Sequence, residues 1–503
     1  ALALAYRFHA PNRSRIQARL DQAEKALKRV LNPDDVDEVT TLDTVVRTFM
    51  AMIPDPHADA NLPLELARKH LAELPEEDPG RFPWLLITGY CLLALHRVDE
   101  AGQALNQSIP CTVNAGLFFG MVEATFYLAR LAHSRGQLDE GVSRCRDTQQ
   151  MLIALLQGMD LPAALGSLKV VIGDVLLERG QLEDARQHLL QGMEQMGLGI
   201  HPVYLMTGLL AQYRLYTALG DTHSALASLD TLDMLWPDIS FLTGGLRCET
   251  ALRAEPGDSS IHAAENWLKD YAAENQPRAV VGLGPVGAAE VYYQANLVWS
   301  RMQIELADPA LALPWITAQL EQEQAQNITG REIELTLLAA QAEYQMGDQE
   351  KSLETFDRAL LLAKKCGYLR TFDSGPVLDE IIHTRAKSTN PDPYLDKILI
   401  IIRDARSRQI SPPGSLLEPV RAYPLTGESD PLLVEPLSER ELDVLRMIAS
   451  GATNQQIASR LVITIGTVKS HINHLLAKLQ AGNRTEAVAR ARRFGLQIGR
   501  AHV

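Results

Sequence analysis

The chain has 503 residues, too many for one ordinary domain, with 46% hydrophobic residues and a formal net charge of −14 at pH 7. This composition is typical of a soluble helical protein, and so acidic a chain binds nucleic acid only where positive charge is concentrated. It has no apolar run of membrane-spanning length and no secretory signal pattern. Its five cysteines lack paired spacing, which argues against disulfides or a zinc site. Together these features predict a cytoplasmic protein.

Residues 1–405 are predicted to form a helical-repeat domain. After a helical pattern at 13–31, an apolar helix repeatedly ends at a turn, usually at a glycine, and a polar helix begins. The turns lie at Gly136, Gly180, Gly220, Gly347 and, in a fainter copy, at 94–101. The first three glycines are 44 and 40 residues apart. This period predicts stacked helical hairpins, each of which buries its apolar face only against its neighbours.

The repeat units resemble tetratricopeptide repeats lengthened beyond their usual period of about 34 residues. We therefore expect a right-handed solenoid with a concave inner surface, in which each glycine supplies a left-handed turn. The stretch 237–290 contains Gly244-Gly245 and Pro256-Gly257 and is interpreted as an irregular repeat.

Two other features of the repeat domain have weak functional signals. Gly282, Gly284 and Gly287 match a dinucleotide-binding fingerprint, but no alternation of strand and helix surrounds them, so they are interpreted as a loop between hairpins. The aromatic residues are interpreted as core, with the alternative of an effector groove. They are Trp84, Trp236, Trp267, Trp299, Trp315 and Tyr292-Tyr293. No motif nominates an active site, so no enzyme, catalytic residue or metal site is predicted.

Residues 406–434 are rich in proline and lack helical periodicity. They are predicted to form an extended, semi-rigid linker between the repeat domain and the last segment of the chain.

Residues 435–503 carry start signals for four short helices. The signals are Ser438 with Glu441 as a capping box, then Thr453 or Asn454, then Thr464, then Thr485. Gly451 ends the first helix, and Val468 and Ile472 begin the apolar stripe of the third. The second and third helices predict a helix-turn-helix, whose second helix enters the major groove of DNA. From Pro431 onward the formal charge is +5, against −19 for the rest, which favours DNA binding at this end.

Several residues in this segment keep fixed offsets from one another. They are Leu437, Ser438, Arg440, Glu441, Gly451, Asn454, Ile457, Ala458, Thr467, Val468, Lys469, His471, Lys478, Leu479 and the run 483–487. The pattern resembles the LuxR-type DNA-binding domain of bacterial transcription regulators, which implies a four-helix domain that binds double-stranded DNA.

The third predicted helix is expected to present a polar face to the major groove. Asparagine can pair with adenine, lysine can reach guanine, and serine is permissive, so Lys469, Ser470 and Asn473 are predicted to contact bases. The resemblance points to the same three positions. The predicted phosphate contacts are Asn454, Thr467, His471 and Arg484. Simpler alternatives are a solvated face for Lys469 and Asn473, an orienting hydrogen bond for His471, and a helix cap for Asn454.

Repeats followed by a LuxR-type domain resemble the large ATP-dependent, MalT-like group of LuxR regulators, whose solenoid senses an inducer. In that group a nucleotide-binding domain precedes the repeats, whereas this sequence shows none and starts at Ala1 without a methionine. The chain is expected to be either an amino-terminally truncated piece or a naturally shorter protein. No cofactor is predicted within it, and ATP is expected only if an upstream nucleotide-binding domain exists.

These observations predict an all-α protein that consists of a tetratricopeptide-like solenoid and a four-helix LuxR-type domain. Its predicted function is a sequence-specific bacterial transcription regulator, an activator, that binds double-stranded DNA as a homodimer or larger homo-oligomer and contacts RNA polymerase. The solenoid is predicted to sense a small-molecule or protein effector. The alternative is a helical-repeat scaffold whose tail does not bind DNA, which would lack the steep salt dependence of DNA binding.

Overall fold

The structure is a computed structural model. It describes residues 60–78, 80–114, 118–155, 164–196, 202–254, 256–273, 284–388, 392–410, 444–445, 447–448, 452–461, 464, 468–469, 472 and 476. The chain divides into two compact units, residues 1–420 and 421–503. Within the described ranges there are α-helices and no strand, which confirms the predicted all-α class. The predicted helical pattern at 13–31 lies outside these ranges.

The helices of the first unit follow one another with short connections. They are α1 (Asn61–Glu73), α2 (Arg81–Ala94), α3 (Val98–Asn114), α4 (Phe118–Ser134), α5 (Leu138–Leu155), α6 (Leu165–Glu178), α7 (Leu182–Met196), α8 (Pro202–Leu219), α9 (Thr222–Leu235), α10 (Ser240–Ala254), α11 (Asp258–Ala273), α12 (Gly284–Leu306), α13 (Pro309–Ala325), α14 (Thr329–Gln345), α15 (Gln349–Cys366), α16 (Pro376–Ser388) and α17 (Pro393–Ile410). Short 3-10 helices, Pro237–Ile239 and Arg370–Phe372, follow α9 and α15. The second unit contributes α18 (Asn454–Leu461).

From α2 to α15 the helices form consecutive hairpin pairs, as the sequence period predicted. The first helix of a pair is mostly apolar and lies in the core, as in α6 and α8. The second helix often opens with acidic residues such as Asp139 and Glu140 of α5, whose charge favours the positive amino end of a helix. In α9, Asp221 caps the helix by accepting a hydrogen bond from the Ser224 amide at 3.0 Å.

The turns inside the pairs have the predicted left-handed backbone. The φ angles are +76° at Gly136, +73° at Gly180, +73° at Gly220 and +89° at Gly347. Where no glycine marks a turn, His96 (φ +58°) and Asn327 (φ +55°) adopt the same region. Asparagine and histidine enter this region more readily than most side chains, which is why the sequence search for glycine did not find the Asn327 turn.

The irregular stretch contains another helical pair, α10 and α11. Gly244 and Gly245 do not break a helix but lie inside α10. A Cβ atom on Gly245 would lie 2.6 Å from the Trp267 ring of α11, so the glycine lets the two helices approach closely.

The repeats turn back on themselves within the first unit. Helix α12 packs against α2, and α14 packs against α4, five pairs further along the chain. The Val98 amide donates to Gln326 Oε1 at 3.3 Å, and His96 Nε2 lies 3.4 Å from Glu323 Oε2. These contacts join residues more than two hundred positions apart, so the first and the later repeats meet around the inner surface of the solenoid.

Two sequence interpretations need correction. Helix α17 extends to Ile410, so residues 406–410 are helical rather than linker, because the first prolines of the predicted linker come only at 412–413. Gly284 and Gly287 lie in the first turn of α12 rather than in a loop, since Pro285 has a φ suited to a helix start. No described helix combines the length and apolar character needed to cross a bilayer.

Candidate DNA-binding helices and central cavity

The start of α18 is fixed by a reciprocal cap at Thr453. The Gln456 amide donates to Thr453 Oγ1 at 3.3 Å, and the Thr453 amide donates to Gln456 Oε1 at 2.8 Å. This is a capping box, so Thr453 rather than Asn454 caps the helix, and Asn454 is its first residue. Just before it, the Ala452 amide donates to the Met447 carbonyl at 2.9 Å.

Thr464, the predicted cap of the helix that follows α18, is among the described residues. Its carbonyl accepts from the Val468 amide at 3.0 Å, as the carbonyl of an N-cap residue does. Val468 is fully buried and Ile472 is 6% exposed, whereas Lys469 is exposed. The apolar stripe therefore faces inward, and the side chain of Lys469 is left in solvent.

The predicted DNA contacts are only partly covered by the structure. Lys469 is exposed, and Asn454 is half-buried at the first turn of α18. The other predicted base contacts, Ser470 and Asn473, lie outside the described residues. So do the remaining predicted phosphate contacts, which are Thr467, His471 and Arg484. The DNA contacts of all seven residues remain predictions.

The first unit contains a partly open cavity of about 300 Å³. The first helices of six successive pairs contribute to its wall: α4, α6, α8, α10, α12 and α14. Its charged lining includes Arg130, Asp174, Glu178, Arg214, Glu249, Glu290, Arg301, Arg331 and Glu334. Arginines and carboxylates from several repeats thus meet in one partly open cavity, beside apolar residues such as Leu210 and Leu246.

Arg331 is the centre of one ion-pair network in this wall. Its guanidinium lies 2.8 Å from Glu290 Oε2 and 3.2 Å from Glu323 Oε1, and it stacks 4.0 Å from the Tyr293 ring centre. Burial by itself would raise the pKa of Glu290, but Arg331 and Arg130 together lower it to about 2. Glu290 is therefore an ionised carboxylate held in place before any ligand arrives.

Glu178 has the opposite electrostatic character. It is 7% exposed, and burial raises the pKa of its carboxyl to about 7, although two hydrogen bonds from Thr371 act in the other direction. The nearby His133 has its pKa lowered by burial, with Asp174 opposing that effect. The cavity thus contains one carboxyl that is ionised at neutral pH, Glu290, and one whose pKa lies near neutral pH, Glu178.

This arrangement can bind and orient a small polar molecule. Charged groups that are already hydrogen-bonded and fixed by packing need little reorganisation when a ligand replaces part of their partners. The described residues contain no cluster of three or more histidine, cysteine, aspartate or glutamate side chains able to hold a metal ion.

No effector-binding residue was predicted from the sequence. Of the aromatic residues considered, Tyr293 lines the cavity, whereas Trp84 and Trp236 are buried in the core. The available signal was a charge at a constant position in otherwise apolar helices. Arg130, Asp174 and Arg214 precede the turn glycines by the same number of residues, and all three line the cavity.

Comparison with known proteins agrees with this architecture. A family model described as MalT-like TPR region matches residues 44–388, and the GerE model, bacterial regulatory proteins of the luxR family, matches residues 435–491. HTH-type transcriptional regulator MalT of Vibrio cholerae is 29% identical over 204 residues, which is 39% of this chain and 22% of that protein.

Two further relatives match shorter stretches. The uncharacterized transcriptional regulatory protein YxjL of Bacillus subtilis is 35% identical over 134 residues, which is 25% of this chain and 61% of YxjL. Response regulator protein VraR of Staphylococcus aureus is 52% identical over 56 residues, which is 11% of this chain and 27% of VraR. The matched part is less than two thirds of each of the three relatives. Because the repeat model spans more than half of the chain, the chain belongs to the MalT-like LuxR regulators, with a MalT-like TPR region before a LuxR-family domain.

Proposed function

We propose that this chain is a sequence-specific transcription regulator, an activator, that binds double-stranded DNA through the helix beginning at Thr464. The single observation that carries the proposal is the exposed Lys469 beside the buried Val468, inside the segment matched by the GerE model. This placement leaves a cation on the outer face of the helix, where a helix-turn-helix reads the major groove.

The proposal assigns base contacts to Lys469, Ser470 and Asn473. It assigns phosphate contacts to Asn454, Thr467, His471 and Arg484. An N-terminal position on α18 suits Asn454 for a phosphate contact, because amide donors at a helix start favour anions. The proposed division of the chain is a repeat domain that ends with α17 at Ile410, a linker that follows, and a DNA-binding domain at 435–503.

The central cavity is the proposed effector site. It is large enough for a small molecule, and its wall combines apolar side chains with charged groups that are already held in ion pairs. A cavity of about 300 Å³ with charged side chains in its wall favours a small polar effector. The regulator would act in the bacterial cytoplasm, on DNA as a dimer or larger assembly together with RNA polymerase. No catalytic reaction is part of the proposal.

The decisive experiment is selection of duplexes from a random pool by the purified full chain at moderate salt. We expect an enriched motif, and we expect the affinity for it to fall steeply with salt because counterions are released from DNA. Lys469→Ala should weaken binding to the motif by about 1–3 kcal/mol and relax base preference. Lys269→Ala, which removes one exposed cation from the repeat domain, is the matched control and should leave binding unchanged.

The rival proposal is a repeat scaffold that binds partner proteins. A chain that enriches no motif, and whose weak DNA binding does not change with Lys469→Ala, would support the scaffold and overturn the regulator.

A further inference from the structure

Residues 368–375, between α15 and α16, have an unusual position in the repeat domain. They include the 3-10 helix Arg370–Phe372 and follow Gly367, whose left-handed φ of +81° ends α15. Five of these residues line the cavity: Tyr368, Arg370, Thr371, Asp373 and Ser374. The segment therefore forms part of the cavity wall, where a bound molecule can contact it.

The segment is fastened to repeats that lie far earlier in the chain. The Thr371 amide and hydroxyl both donate to Glu178 Oε1, at 2.9 and 2.7 Å, and the Leu369 amide donates to the Glu178 carbonyl at 3.2 Å. The Tyr368 hydroxyl donates to the His133 carbonyl. One buried glutamate at the end of α6 therefore holds three donors of the segment.

The other side of the segment is joined to the last helices of the unit. The Tyr394 hydroxyl, at the start of α17, donates to the carbonyls of Tyr368 and Ala363. Phe372 is fully buried and meets the Phe356 ring of α15 edge to face, with ring centres 6.0 Å apart. Helix α17 contacts both the 3-10 helix and α8. The segment thus touches the cavity on one side and the final helix of the repeat domain on the other.

We propose that residues 368–375 form a latch, whose release from Glu178 loosens α16 and α17 together, so that an effector in the cavity controls the carboxyl end of the repeat domain. This inference rests on the proposed function, because it takes the cavity to be the effector site. Thr371 and Tyr394 act as positioning residues: the first closes the latch, and the second transmits its state to α17.

Amide hydrogen exchange of the full chain, followed by mass spectrometry of peptides, tests the latch without DNA. Thr371→Val removes one donor to a carboxylate. At pH 8.5, where Glu178 is ionised, it should speed exchange of peptides 368–375 and 393–404 by a similar factor of about tenfold to a hundredfold, the range expected for a hydrogen bond to a charged acceptor. Thr371→Ser keeps the hydroxyl and should restore slow exchange. Thr231→Val, which removes a hydroxyl bonded to the Ala227 carbonyl of α9 outside the cavity, should change neither peptide.

A second substitution separates coupling from local loosening. Tyr394→Phe removes the hydroxyl that joins α17 to the latch. In the double variant with Thr371→Val, exchange of 393–404 should no longer follow that of 368–375. The comparison still tests the coupling between 368–375 and 393–404 if Thr371→Val by itself speeds exchange throughout the first unit.

Two results would overturn the latch: faster exchange confined to 368–375 after Thr371→Val, or coupling that persists in the double variant. Failure to enrich a DNA motif would instead overturn the regulator and leave the exchange result standing. The two proposals therefore fail separately.

Discussion

Replacing the buried Glu178 with glutamine is expected to change how the free energy of unfolding depends on pH. Glutamine keeps an oxygen that can accept from Thr371 but cannot ionise. The pKa of Glu178 is raised from 4.5 to about 7 in the folded protein, with burial as the main cause. At roughly 1.4 kcal/mol for each pH unit, ionised Glu178 lowers the free energy of unfolding by about 3 kcal/mol.

The sign of the pH dependence follows from the raised pKa. Below pH 4.5 the carboxyl is protonated in both the folded and the unfolded chain, so it costs nothing. As the pH rises from 4.5 towards 7, the unfolded chain loses its proton first, and the folded chain loses stability relative to it. Above about pH 7 the folded chain carries the full free-energy cost of burying the ionised Glu178 carboxylate. Wild type should therefore lose about 3 kcal/mol relative to Glu178→Gln between about pH 4.5 and pH 8.5.

Urea unfolding of the full chain, followed by far-UV circular dichroism, measures this difference. Comparing wild type with Glu178→Gln at each pH cancels the titration of other groups. Glu194→Gln, on the exposed face of α7, controls for the loss of one negative charge. If the stability difference between wild type and Glu178→Gln is the same at pH 4.5 and at about pH 8.5, then ionisation of Glu178 does not destabilise the folded chain and the reasoning is refuted.

Three other perturbations test separate parts of the molecule. Glu290→Gln should destabilise the repeat domain by about 3 kcal/mol at pH 7, because the pKa of Glu290 is lowered to about 2 in the folded chain. In the same urea assay, the stability difference between wild type and this variant should vanish as the pH falls from 4.5 towards 2. Thr453→Ala should destabilise α18 by about 1 kcal/mol because it removes the helix cap, and amide exchange of residues 454–461 should become faster. Thr453→Ser keeps the hydroxyl and should preserve slow exchange. Equal exchange in both variants would contradict the capping box. Lys469→Ala should reduce the salt slope of DNA affinity by no more than about one charge in fluorescence anisotropy, and an unchanged affinity and motif would argue against a DNA contact.

Local chemistry explains why much of the fold could be predicted. Gly136, Gly180 and Gly220 need a left-handed backbone, and their spacing marks the hairpin units before any contact is known. Where another residue type takes the left-handed turn, as Asn327 does, the local signal weakens and the turn was not predicted.

The cavity was less predictable because its wall comes from distant parts of the chain. Arg331 and Glu290 lie 41 positions apart, and Thr371 and Glu178 lie 193 positions apart. Each charge by itself is compatible with a solvated helix face. Its burial and its partners depend on how many repeats complete one turn of the solenoid, which no short stretch of sequence encodes.

The sequence by itself determined the helical class, the repeat period, the LuxR-type motif and the concentration of basic charge at one end, because these depend on neighbouring residues and composition. Only the tertiary structure decided that α12 and α14 return to α2 and α4 around a partly open cavity. It also decided that Glu178 is buried against residues 368–375. The physical reason is that small rotations between successive hairpins accumulate, and side-chain packing across all of them sets the total.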